Sequence, residues 1–323
     1  MLKQRLTLFV ATLLALVLIP QLGLTQSSNT SIYTAAKTPW GHPDFQGVWD
    51  RRTITPLERP ERLAGKAFMT PEEIIAYERE SAARADGRPL DALRAGISVH
   101  DPQDLDYGST VLATGQTSLV VDPADGRIPA YTQAANDRAT VAAAFRASRG
   151  SADSWTDRTL NERCMTWGMP QGMLPQAYNN NIQIIQTKNE VMILTEMVHD
   201  ARIIPLDGRP HIPANITQWH GDARGHWEGE TLIIETTNFS AKSSFRRSSS
   251  NLHLQERYTR IDDDMLQYEF TVSDDTTWEQ PWSVSFPMVR GGEPIYEFAC
   301  HEGNYGLLNI LRVARNLEKQ QQE

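Results

Sequence analysis

Cysteine is nearly absent: Cys164 and Cys300 are the only two among 323 residues. There is no paired-Cys motif for a structural zinc. Basic residues are in deficit, 31 Lys and Arg against 40 Asp and Glu, for a net charge of −9. An acidic chain is a poor partner for nucleic acid, whose phosphates need clustered Lys and Arg. It is an equally poor partner for an anionic membrane surface. No HExxH stretch, G-x-S-x-G elbow, P-loop or dinucleotide fingerprint occurs, which argues against the metalloprotease, α/β-hydrolase and nucleotide-binding classes. Beyond the first twenty residues no segment is long and apolar enough to span a bilayer.

What is present begins with an export signal. Lys3 and Arg5 precede the uncharged run Leu6 to Ile19, Pro20 ends the run, and Gly23-Leu24-Thr25 supplies small residues for cleavage. The run falls short of the roughly 20 residues of a membrane-spanning helix, so residues 1–25 read as a secretory signal peptide. An uncleaved signal anchor is the alternative. No Cys follows the run, which argues against a lipid anchor. The expected location is therefore periplasmic or secreted, with no membrane span once the signal is removed. The remaining length suits one large domain or two small ones. A hydrophobic content of 40% is enough for a core. In an oxidising compartment two cysteines read first as a Cys164–Cys300 disulfide. Closing so long a loop is worth about 5 kcal/mol on the chain-entropy account. The competing reading is a reactive thiol at Cys300, beside His301.

Residues 26–60 lack periodicity and read as an extended arm. The aromatic stretch Trp40 to Trp49 within them packs on the main body. Residues 61–177 read as helices and loops. Thr70-Pro71-Glu72-Glu73 starts a helix with the signature of a capping box, running to about Arg84 before Gly87-Arg88-Pro89. A second helix fits Ala134 to Ser148. From residue 178 the period changes to two. Strands are expected at Ile182–Gln186, Val191–Val198, Ala201–Leu206, His226-Trp227, Thr231–Ile234, His253–Ile261, Met265–Val272, Trp282–Met288 and Ile295–Ala299. Turn signals such as Asp207-Gly208, Glu228-Gly229 and Asp262-Asp263-Asp264 separate them. The expectation is a mainly β fold over 178–323: an antiparallel meander forming a partly closed barrel, ending in a helix over Leu307–Leu317.

Several stretches resemble a large, uncharacterised group of exported bacterial β-rich proteins. They are Trp40 to Trp49, Ser118 to Pro123, Glu162-Arg163-Cys164, Tyr178 to Asn181, His199 to Arg202, Trp227 to Leu232, and Cys300 to Tyr305. The resemblance covers most of the mature chain, implies export, and brings no activity with it. The Trp227-Glu228-Gly229-Glu230-Thr231-Leu232 hairpin is also similar to one in lipocalin-like barrels. That likeness implies a barrel with a small apolar ligand inside, and fold alone does not settle function.

If the Asp262–Asp264 turn sets the register, Arg257 lies opposite Glu269 and Tyr258 near Tyr268. One face of the hairpin then holds His253, Gln255, Arg257, Thr259, Gln267, Glu269 and Thr271. The other holds Leu254, Glu256, Tyr258, Leu266, Tyr268, Phe270 and Val272. Glu256 is the odd member of an apolar face, where a carboxylate is costly unless paired and its pKa tends to rise. It is the candidate general acid or base. A structural salt bridge to Arg260 or another Arg is the alternative. Tyr258 and Tyr268 are candidate donors to an oxyanion. His199 is a candidate proton relay, its tautomer fixed by Asp200. Arg202, His253, His301, Glu302, Asn304 and Tyr178 complete the expected site as substrate contacts. The pocket is expected on the hairpin's apolar face, with His199-Asp200 and His301-Glu302 at its mouth. His199, His253 and His301 have the chemistry of metal ligands, but nothing in their spacing makes them converge. A metal is the minor alternative to no cofactor. Two functions follow. The first is an exported acid–base enzyme acting on an apolar or carbonyl-bearing small molecule, as lyase, isomerase or hydrolase. The alternative is a non-catalytic binding protein for a small hydrophobic ligand.

Overall fold

The computed structural model describes residues 33–94, 106 and 108–321. The expected signal peptide, the start of the arm and part of the loop before residue 106 lie outside them. Ten strands and three long helices form in chain order: β1 (Gly47–Asp50), α1 (Pro71–Arg94), β2 (Val120–Asp122), α2 (Gln133–Ala147), β3 (Asn181–Gln186), β4 (Glu190–Thr195), β5 (Ala201–Pro205), β6 (Asp222–Glu228), β7 (Thr231–Thr237), β8 (His253–Arg260), β9 (Met265–Ser273), β10 (Trp282–Arg290) and α3 (Tyr305–Gln320).

All strand pairs are antiparallel, in the order β5-β4-β3-β1-β10-β9-β8-β7-β6, with β2 laid on β10. The end strands β5 and β6 approach one another, so the sheet is nearly closed into a barrel. The protein is therefore mainly β, as the period-two pattern indicates. The meander is not continuous, however. β3–β5 and β6–β10 are two separate meanders, and β1 from the N-terminal arm joins them. Trp49 pairs with Ile182 of β3 on one side and Arg290 of β10 on the other. The arm is a strand of the barrel and not merely a strap across it. Four residues are too few to announce themselves by alternation.

The β8–β9 hairpin has the register its turn predicts: Arg257 opposite Glu269, Tyr258 opposite Tyr268. Burial alternates strictly along both strands. Inward side chains fill the barrel: Phe45, Trp49, Ile182, Ile193, Tyr258, Tyr268, Phe270, Trp282 and Phe286 are all essentially inaccessible. The Tyr268 ring lies tilted against Tyr258, centroids 4.8 Å apart, and meets Phe286 edge-on at 5.4 Å, separations typical of packed aromatic pairs.

Three local expectations are corrected. Ile295–Ala299 is not a strand. Pro294 lacks an N–H, and β10 already has β9, β1 and β2 as neighbours, so no ladder is open to it. The strand expected to reach Val198 ends at Thr195, because Val198 and His199 turn into the left-handed region at φ 61° and 60°. α1 starts on the expected capping box, Glu73 N–H to Thr70 Oγ1 at 3.3 Å and Thr70 N–H to Glu73 Oε2 at 2.8 Å, but runs past Gly87 and Pro89 to Arg94.

Candidate functional site

Period-two alternation turns Glu256 inward, and it is fully buried. It is also paired. Arg202, the second residue of β5, reaches across the barrel and donates from Nη1 to Oε1 at 3.0 Å and from Nη2 to Oε2 at 2.5 Å. The hydroxyls of Tyr258 and Tyr268 donate to Oε1 at 3.1 and 3.0 Å. Burial and then the charge of Glu256 push both phenols well above their ordinary pKa, so they remain donors. For Arg202, burial disfavours the charge, but Glu256 outweighs it and holds the guanidinium above its usual value. The structure thus brings Glu256, Tyr258, Tyr268 and Arg202 into one buried network.

The other expected residues lie elsewhere. Among the described residues no hydrogen bond or ion pair joins His199, His253, His301 or Glu302 to that network. His199 is exposed on its left-handed turn. His253 is on the outer face, paired with Glu235 at 2.8 Å. His301 and Glu302 are exposed. Asn304 caps α3, its Oδ1 accepting from Leu307 N–H, while its Nδ2 donates to the Glu162 carbonyl. Tyr178 is half-buried, and that burial raises its pKa. The Cys164–Cys300 disulfide is formed, with Cα atoms 5.6 Å apart. It anchors the start of α3 to the segment that covers one end of the barrel.

At that end Asp200 joins two residues the sequence did not single out. Its Oδ2 accepts from Thr166 Oγ1 at 2.9 Å and lies 3.2 Å from His220 Nε2, which is itself 2.6 Å from Thr166 Oγ1. Both partners meet the same ring nitrogen. A hydrolytic relay places nucleophile and carboxylate on opposite nitrogens. This cluster instead clamps the 164–168 segment to the start of β5.

Beside the clamp lies a cleft of about 540 Å³, walled by Trp155, Leu160 and Trp219 and edged by Arg163 and Lys242. It adjoins a smaller recess of about 230 Å³ lined by Thr166, Trp167 and Ser243 and sharing Leu160 and Lys242. Ser243 Oγ donates to the Trp219 carbonyl at 2.8 Å, fixing the two walls to each other. The Arg163 guanidinium sits 4.5 Å over the Trp155 ring. Arg158 is neutralised by Glu162, whereas neither Lys242 nor Arg163 has an ion-pair partner among the described residues. Trp155 opens a single 3-10 turn, Trp155–Asp157, and Trp219 lies in a turn, so neither belongs to a periodic segment and the sequence singled out neither.

Among the described residues no group of three or more His, Cys, Asp or Glu is placed to hold a metal ion, and no helix is long and apolar enough to cross a membrane. No family model matches the chain, and no curated protein matches it either. A solved structure, that of a single-site mutant of the fluorescent protein UnaG, is similar at 12% identity over 35% of this chain and 72% of that one, with a TM-score of 0.23. An overlap that low carries no inference about this chain.

Proposed function

We propose that this chain is an exported small-molecule-binding protein whose ligand seats in the cleft at the covered end of the barrel. The cleft carries the reading. Its volume lies in the usual range for ligand pockets, roughly 300–1,000 Å³. Two tryptophans and a leucine offer an apolar surface, and Arg163 and Lys242 supply charge not already spent on a carboxylate. The ligand that fits is a compact apolar body bearing a negative group. The disulfide and the Asp200–Thr166–His220 clamp hold the walls rigid, as a site requires.

The acid–base reading centred on Glu256 has less support. Four hydrogen bonds occupy its two oxygens, and all come from buried donors. A carboxylate so engaged must break its contacts before it can accept a proton. It serves better as an anchor that draws β5 against β8.

The probe that tests binding is 1-anilinonaphthalene-8-sulfonate, an apolar ring system with one negative charge. The native chain takes it up saturably. Trp219→Ala and Lys242→Glu each weaken the affinity at least tenfold without altering the far-ultraviolet circular dichroism. Unchanged affinity in both variants would remove the cleft as the site.

A further inference from the structure

Arg51 is the next residue after β1 and shares the inward face with Trp49, two positions before it. It is 1% exposed. Its Nη1 donates to the Gly172 carbonyl. Its Nε and Nη2 are buried and have no hydrogen-bond partner. These two nitrogens lie along one edge of the guanidinium plane, and their N–H bonds run parallel. That edge matches the two oxygens of a carboxylate. The nearby acidic and phenolic groups do not fill it. Glu196 and the hydroxyls of Tyr258 and Tyr268 are close enough to act on the charge of Arg51. Yet Glu196 accepts from the Asn181 N–H, and both phenols donate to Glu256.

There is also room. Gly172, whose carbonyl holds Arg51, is buried, yet a Cβ added to it meets no heavy atom within 4 Å. A buried backbone with open space beside it, bonded through its carbonyl to Nη1 of a guanidinium whose other edge is unpaired, has the make-up of a pocket for a small planar anion. We propose that the barrel holds a second, interior site in which Nε and Nη2 of Arg51 bind the carboxylate of a small monocarboxylic acid. A single guanidinium suits a monoanion better than a phosphate, which calls for more donors than are present. The site shares no residue with the cleft and does not depend on it.

The test is a ¹⁹F NMR titration of the full chain with trifluoroacetate and with 4-fluorobenzoate, using neutral trifluoroethanol as control. At least one carboxylate binds saturably and trifluoroethanol does not. Gly172→Ala fills the open space without touching Arg51, meets no clash and keeps an ordinary backbone, so it folds. It weakens carboxylate binding at least tenfold. Arg51→Lys keeps the charge but loses the parallel pair, and does the same. If neither carboxylate binds, or if Gly172→Ala binds as tightly as the native chain, Arg51 faces internal water only and the proposal fails. Loss of carboxylate binding in Lys242→Glu but not in Gly172→Ala also overturns it. That outcome would place the acid in the cleft and leave the functional proposal standing.

Discussion

Replacing Glu256 with Gln leaves Arg202 charged, buried and without a counter-ion. Breaking a buried pair at one partner costs about 3–5 kcal/mol, so urea unfolding of Glu256→Gln should show a loss near 3 kcal/mol. A change below about 0.5 kcal/mol, the size of an ordinary surface substitution, would mean the pair is not the anchor described. Asp274 gives the pH dependence. Burial works to raise its pKa, and the Ser249 N–H with the Thr276 and Thr277 hydroxyls outweighs it, holding the carboxyl below its ordinary value. A depressed folded-state pKa contributes stability that is present above the unfolded value near 4 and is lost as pH falls through the folded one. The melting temperature should therefore drop on acidification below about pH 4, and Asp274→Asn should drop less over the same range. An equal drop in the variant would assign the effect elsewhere. At this scale the sequence was half legible. Alternation around the Asp262–Asp264 turn places Glu256, Tyr258 and Tyr268 on one inner face. It does not reveal Arg202 as the partner, because that pairing needs β5 to stand across the barrel from β8.

The short strand β1 bears more than its length suggests. Trp49 is fully buried between two meanders, and its Nε1 donates to the Phe45 carbonyl at 2.9 Å. Trp49→Ala should cost about 3–5 kcal/mol, measurable by denaturant unfolding, and a loss under about 1 kcal/mol would show that β3 and β10 close without it. Reducing the Cys164–Cys300 bridge frees a loop of 136 residues in sequence separation. The chain-entropy account gives about 5 kcal/mol for such a loop, so the double Cys→Ser variant should melt well below the native chain and bind the naphthalene sulfonate more weakly. An unchanged melting temperature would contradict the anchoring role given to the bridge. Hairpins with strong turn residues were legible as elements because each turn fixes its own register. Ile295–Ala299 misled because its apolar content resembles a strand, while pairing depends on a free neighbour that only the assembled sheet can show. β1 was hidden for the converse reason: its strand character comes from two distant partners.

Taken whole, the molecule is a barrel whose inside is largely core and whose recognition surface is proposed to lie at one end. The segment around Cys164, the loop at Trp219 and the turn at Lys242 are far apart in sequence and converge only after the barrel forms, which is why the cleft could not be read from the chain. The most direct test of this arrangement is hydrogen–deuterium exchange of the native protein with and without 1-anilinonaphthalene-8-sulfonate. Protection on binding should appear in the segments 155–168 and 240–244, which supply residues to the cleft and its adjoining recess, with little change along β8 and β9. Protection confined to β8 and β9 would place the ligand against Glu256 inside the barrel and contradict the account.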